Sequence, residues 1–182
     1  MGISEQKSRR GGRPADSPEV LFLDYDNCLH RCDVYVAGNE VIASVPGIAL
    51  FEYATVLERL LEPYPHVRIV LSSDWVGAVG FERARDALPL TSLRARVIGA
   101  TRVEGGSGVP TSSNLTRGEQ ILRYVAMKGI KSWLALDDRL DGFDSCMVQL
   151  VHCQAGVGLG DSSVQEMLER KLRLLFYVHD WR

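Results

Sequence analysis

The chain has 182 residues, enough for one full hydrophobic core and usually too few for two domains plus a linker. Hydrophobic residues make up 46% and charged residues 24%, with 21 basic side chains against 23 acidic ones, which excludes a disordered, fibrous or strongly basic nucleic-acid-coating chain. No apolar stretch approaches the roughly 18 residues of a membrane-spanning helix, and no apolar signal core follows the basic N-terminus, so the expectation is a cytoplasmic protein with no membrane partner.

The first segment, residues 1–18, combines Lys, Arg, Gly, Ser and two prolines and includes Lys7, Arg9, Arg10 and Arg13. It lacks the apolar side chains needed to offset ordering entropy and reads as a disordered basic tail. It either contacts nucleic acid or keeps the chain soluble. The rest, 19–182, reads as one mildly acidic domain.

Val20-Leu21-Phe22-Leu23 is a short apolar run ending in Asp24, as expected of a strand buried on both faces of a parallel sheet. Similar runs follow at Val67 to Leu71 before Ser72-Ser73, Arg96 to Ile98 before Gly99, Trp133 to Leu136 before Asp137-Asp138, and Val148 to Val151 before His152. Between them, helical spacing covers Leu50 to Leu61, a shorter stretch from Phe81 to Ala87, and Val164 to Leu175. The helix opening at Arg117 has the clearest start, because Thr116 and Glu119 form a capping-box pair. The fold class is therefore α/β: a three-layer, Rossmann-like parallel sheet of about five strands with helices on both faces. Leu29 to Pro46 leaves room for a short flap but no large cap domain, and Gly105 to Pro110 reads as a flexible loop.

Ligands of such sheets bind beyond the carboxyl ends of the strands. That edge receives Asp24, Ser72 and Asp137, with Asp26 and Asp138 close behind. Two adjacent acids at a buried strand end repel unless a proton or cation intervenes, and Mg²⁺ with oxygen ligands is the economical answer for Asp137-Asp138.

In these residues the chain resembles the haloacid dehalogenase superfamily of phosphatases and phosphotransferases. Leu21-Phe22-Leu23-Asp24-Tyr25-Asp26 resembles its first motif, Val70-Leu71-Ser72-Ser73 its second, and Leu134-Ala135-Leu136-Asp137-Asp138 its fourth. The basic third motif is best matched by Arg117, with Lys128 and Lys131, toward the other end of the helix, as alternatives. Leu71-Ser72-Ser73-x-Trp75, Arg117-x-Glu119 and Gly156-Val157-Gly158-Leu159 are similar to small domains of this type in predicted RNA-repair proteins. Asp137-Asp138-Arg139 also resembles the fourth motif of polynucleotide 3′-phosphatases.

The resemblance implies a Mg²⁺-dependent phosphatase working through an aspartyl-phosphate. Asp24 would be the nucleophile, Asp26 the general acid and base, and Ser72 and Arg117 the phosphate ligands, with metal held by Asp24, the Asp26 carbonyl, Asp137 and Asp138. It implies a phosphorylated substrate, a nucleic-acid end among the candidates. Three departures stand out: Asn27 replaces the usual Gly, Cys28 the usual Thr or Val, and Asp74 adds negative charge near the phosphate. They motivate an alternative, a catalytically weakened phosphate- or partner-binding domain. A third reading places zinc on Cys28-x-His30-x-Cys32 with Cys146, His152 or Cys153, against ordinary reduced thiols. Trp75 reads as packing in preference to stacking on a base. Oligomeric state is not readable from the sequence.

Overall fold

A computed structural model describes residues 17–38, 40–102 and 115–176. The basic segment up to residue 16, the Gly105 to Pro110 loop and His179 lie outside the described residues. Ser17, at the end of the segment read as a tail, accepts the Lys131 N–H through its hydroxyl at 3.1 Å.

The central sheet is made of β1 (Glu19–Leu23), β4 (Arg68–Leu71), β5 (Val97–Ala100), β6 (Ser132–Asp137) and β7 (Leu150–His152). Their order is β5-β4-β1-β6-β7, and every neighbouring pair is parallel. In β1, Leu21 and Leu23 share one core with Ile69, Leu71, Leu134 and Leu136, while Val20 and Phe22 share the other with Val70, Trp133 and Ala135. Both faces are apolar because both are covered. Each fully buried Leu or Phe contributes about 1.5–3 kcal/mol relative to exposure.

The first face is covered by α1 (Ala54–Leu61) and α6 (Ser162–Phe176) through Leu57, Leu61, Leu168 and Leu172. The short helices α2 (Trp75–Val79), α3 (Phe81–Asp86) and α4 (Thr91–Arg96) add Val76, Ala84 and Leu93. The second face is covered by α5 (Arg117–Lys128) through Ile121, together with Phe143 and Cys146 of the β6–β7 connection. This is the α/β sheet expected, with helices on both faces.

Local differences have local causes. The first helix starts at Ala54 because Phe51 takes φ 59°, which breaks the helical path begun at Leu50. The last strand starts at Leu150, since Leu150 N–H turns back to the Met147 carbonyl and leaves Val148 77% exposed. The flap is an antiparallel hairpin of β2 (Val34–Ala37) and β3 (Glu40–Ala43), anchored to the core by Val34 and Val41. Among the described residues, no helix is long and apolar enough to cross a membrane.

The sheet register sets up the site. Leu23 pairs with Leu71 on one side and with Leu136 on the other. Asp24, Ser72 and Asp137 therefore follow paired residues and emerge together at one edge. All three are buried, at 3%, 0% and 0% exposure.

Candidate active site

Asp24, Asp137 and Asp138 each offer a carboxylate oxygen, and the three lie within 4.8 Å of one another. Burial pushes the Asp24 pKa up to about 6, against the pull of Arg117, the Tyr25 amide and Ser73. Burial, then the nearby Asp24 charge, holds Asp137 well above the usual carboxylate range. Asp138 is also raised, chiefly by burial and in spite of a hydrogen bond from the Asn27 side chain. Crowded acids of this kind ionise together only beside a strong positive charge. The donors are all oxygens, and Asp137 Oδ2 is buried with no hydrogen-bond partner, so the set fits a hard divalent cation such as Mg²⁺.

A metal-binding experiment follows from these shifts. A carboxylate whose folded pKa is raised contributes stability below its unfolded pKa, and that contribution is lost as pH rises through the folded value, here about 6 for Asp24. Mg²⁺ at roughly a hundred times its Kd is expected to raise the melting temperature by about 5–10 °C at pH 7.5. The increase should be less than half that at pH 5, where protons compete for the same oxygens. Equal increases at both pH values would contradict this.

Of the basic residues on α5, Arg117 lies at the edge, beside Asp24 and Asp137, and Lys128 sits in the last turn, with its ammonium 5.9 Å from the Tyr124 ring centroid. The predicted capping box forms: Glu119 N–H donates to Thr116 Oγ1 at 3.4 Å, and Thr116 N–H donates to Glu119 Oε2 at 2.8 Å. Gly118 lets this end of α5 approach the Gly142 backbone, which a Cβ would strike. Arg117, only 1% exposed, thereby reaches in with Nη2 3.7 Å from Asp24 Oδ2 and Nε 3.2 Å from Asp137 Oδ2. Burial opposes its charge, but Asp24, Asp137 and Asp74 outweigh that and keep it more firmly protonated than usual.

These ion pairs leave Arg117 unsatisfied. Its Nε and Nη1 are buried without an aligned hydrogen-bond acceptor, and so is the Ser72 hydroxyl. Donors of this kind, beside the positive charge of Arg117, suit an anion.

Asp26 is held by residues of the flap and of α2. Trp75 Nε1–H donates to its Oδ1 at 2.7 Å, His30 Nε2 contacts the same oxygen at 3.1 Å, and Val34 N–H donates to Oδ2 at 3.3 Å. The Phe51 amide can only donate, and it lies 3.5 Å from His30 Nδ1. Nδ1 is therefore the acceptor and Nε2 carries the proton given to Asp26. Phe51 adopts the left-handed backbone that places this amide, at a cost of roughly 1–2 kcal/mol. Its ring packs edge-on against Tyr25, His30 and Trp75.

Trp75 is thus packed, as expected, but it and His30 also hold Asp26, a task the sequence reading missed. Trp75→Phe removes the donor to Asp26 and is expected to lower stability by about 1 kcal/mol in denaturant unfolding; an unchanged midpoint would contradict the contact.

The departures at Asn27, Cys28 and Asp74 are each accommodated. Asn27 takes φ 56°, the left-handed turn for which Gly is the usual choice and Asn a tolerated one. Its side chain donates to Asp33 Oδ1 at 2.9 Å and accepts Gly156 N–H at 3.0 Å, tying the flap to the loop after β7. Cys28 is buried and hydrogen-bonded to Cys153. Asp74 does not confront the site as a bare negative charge: Arg102, Arg117 and Arg139 all lie within 3.2–3.5 Å of it.

The zinc reading fails. Cys28 and Cys153 belong to the core on one face of the sheet and Cys146 to that on the other, while His30 is committed to Asp26 and Phe51. Among the described residues, the acid trio is the one group of metal-ligating side chains, and all four thiols are free.

A family model described as the HAD domain in Swiss Army Knife RNA repair proteins matches residues 20–164. No curated protein and no solved structure matches the chain.

Proposed function

The chain belongs to the family of HAD domains in Swiss Army Knife RNA repair proteins, and from its site we propose that it is a Mg²⁺-dependent phosphatase that hydrolyses phosphomonoesters through an aspartyl-phosphate. The observation that carries this reading is the buried edge at which Arg117 lies 3.7 Å from Asp24 and 3.2 Å from Asp137, with Ser72 Oγ and Arg117 Nη1 buried and without a hydrogen bond. Ser72 and Arg117 would bind the equatorial phosphoryl oxygens. The acid trio and the Asp26 carbonyl would hold Mg²⁺, which supplies positive charge to offset repulsion between a carboxylate and a phosphate dianion.

In the first half-reaction a carboxylate oxygen of Asp24 attacks phosphorus, the bond to the leaving oxygen breaks, and Asp26 gives that oxygen a proton. In the second, Asp26 takes a proton from water, the water oxygen attacks phosphorus, and the bond to Asp24 breaks, releasing inorganic phosphate. Arg117 and Ser72 hold the phosphoryl oxygens through both halves and stabilise the charge that spreads over them.

The substrate we favour is a phosphorylated nucleic-acid end. The family's description supports it, as does the small size of the flap, a β2–β3 hairpin in place of a cap domain. A panel of RNA and DNA 3′-phosphates, nucleotides, sugar phosphates and phosphopeptides, assayed with and without Mg²⁺, tests both parts. Mg²⁺-dependent release of phosphate, fastest from an oligonucleotide end, is expected. Mg²⁺-dependent stabilisation with no turnover of any member would instead establish a non-catalytic binding domain.

A further inference from the structure

Arg117 Nη2, 3.7 Å from Asp24 Oδ2, also lies 3.5 Å from Asp74 Oδ2. Arg139 Nη1 donates to that same Asp74 oxygen at 3.4 Å, and Arg102 Nη1 donates to Oδ1 at 3.2 Å. One carboxylate, 58% exposed, thus draws in three guanidinium groups. Arg117 and Arg139 have further acids, Asp24 and Asp137 for the first and Asp141 for the second, while the ion pair of Arg102 is with Asp74.

Two of these arginines are held in place by other contacts. Arg139 is gripped by Asp141, Nε to Oδ1 at 2.8 Å and Nη2 to Oδ2 at 3.0 Å, a fork-on-fork pairing that leaves Nη1 for Asp74. Asp141 Oδ2 also accepts the Arg117 N–H at 3.1 Å, which ties Arg139 to the end of α5 that carries Arg117. Arg102 lies against Gly77 of α2, where a Cβ would come within 2.8 Å of its Nη1 and 2.9 Å of its guanidinium carbon. The space left by the missing methyl is filled by the cation. Arg102 and Arg139 remain 32% and 43% exposed, so a ligand can reach them from solvent.

We propose that Arg102 and Arg139 form a second anion site beside the reacting phosphoryl group, one that binds another phosphate of the same substrate, with the Asp74 carboxylate as its stand-in. The proposal rests on the phosphatase reading and narrows it to substrates that carry two neighbouring phosphates. Asp74 stands at the N-cap of α2, and its exposed side chain turns out to water by a rotamer change. A phosphate offers more charge and more acceptor oxygens than the carboxylate it displaces, in the geometry guanidinium forks favour.

Binding is measured by calorimetry in Mg²⁺ on the full-length Asp24→Asn protein, which cannot form an aspartyl-phosphate. Adenosine 3′,5′-bisphosphate is expected to bind at least about 10-fold more tightly than adenosine 3′-monophosphate, an advantage of roughly 1.4 kcal/mol. Adding Arg102→Ala or Arg139→Ala should cut that ratio, and both together should bring it close to one. Adding Asp74→Asn should raise bisphosphate affinity. A dinucleotide ending in a 3′-phosphate distinguishes the sources: a similar advantage assigns the site to a backbone diester, and an advantage confined to the bisphosphate assigns it to a second monoester.

Equal affinities for the one- and two-phosphate ligands, or an advantage that survives loss of both arginines, would overturn the proposal. Failure of the wild-type protein to hydrolyse any of these compounds would remove the phosphatase reading instead, and the affinity ratio would still decide the second site.

Discussion

Asp24→Asn is expected to lower phosphomonoester turnover by at least about 10⁴-fold while raising the melting temperature of the metal-free protein at pH 7.5. The two effects have one cause. Asp24 is fully buried among acids, and its pKa of about 6 means that its surroundings disfavour the charged form by an amount on the order of a few kcal/mol. An amide has nearly the same shape, carries no charge and is no nucleophile. The same substitution should shrink the stabilisation by Mg²⁺, because one oxygen of the trio loses its charge. Kinetics and thermal unfolding on a single preparation check both halves; a destabilised, active variant would contradict the account twice.

Arg117→Ala is expected to be severe for catalysis, though less so than Asp24→Asn, and opposite in sign for stability. Removing one partner of a buried ion pair leaves uncompensated charge and typically costs about 3–5 kcal/mol. Here the guanidinium lies between Asp24 and Asp137 and is itself 1% exposed. The metal-free protein should therefore lose stability by about that amount, and Mg²⁺ should restore part of it by neutralising the same acids. kcat/KM should fall by at least about 10³-fold, since the phosphoryl oxygens lose their charged donor. Arg117→Lys keeps the charge without the planar fork, so it should recover stability better than activity. Denaturant unfolding with and without Mg²⁺, beside steady-state kinetics, reads out each effect.

Much of this arrangement is legible from residues 20–24, 67–73 and 132–138, because a strand buried on both faces shows as an unbroken apolar run and the polar residue that ends it marks the ligand edge. Thr116 and Glu119 likewise announce the start of α5 and hence the placement of Arg117, since a capping box is a contact between residues three apart. The flap hairpin carried a readable signal, β-branched runs on either side of Gly38-Asn39, that a search for apolar runs passed over. The helices α2 and α4 carry no comparable signal: in five or six residues each buries only one or two apolar side chains, too few to mark a helical period.

Two features of the site lie beyond local sequence signals. Trp75 reaches Asp26 across 49 residues, and the Phe51 amide reaches His30 across 21. Only the folded sheet, with its crossing connections, brings these groups together. The same holds for Asp74, whose negative charge meets Arg102 and Arg139 from distant parts of the chain.

The central claim is that Asp24 becomes phosphorylated, and reductive trapping tests it most directly. Wild-type protein turning over an aryl phosphate or a phosphorylated oligonucleotide in Mg²⁺ is quenched in acid, treated with borohydride and mapped by peptide mass spectrometry. The account predicts homoserine at position 24, produced only with substrate and Mg²⁺ present and absent from the Asp24→Asn protein. Steady hydrolysis with residue 24 unmodified, or trapping at any other residue, would contradict it.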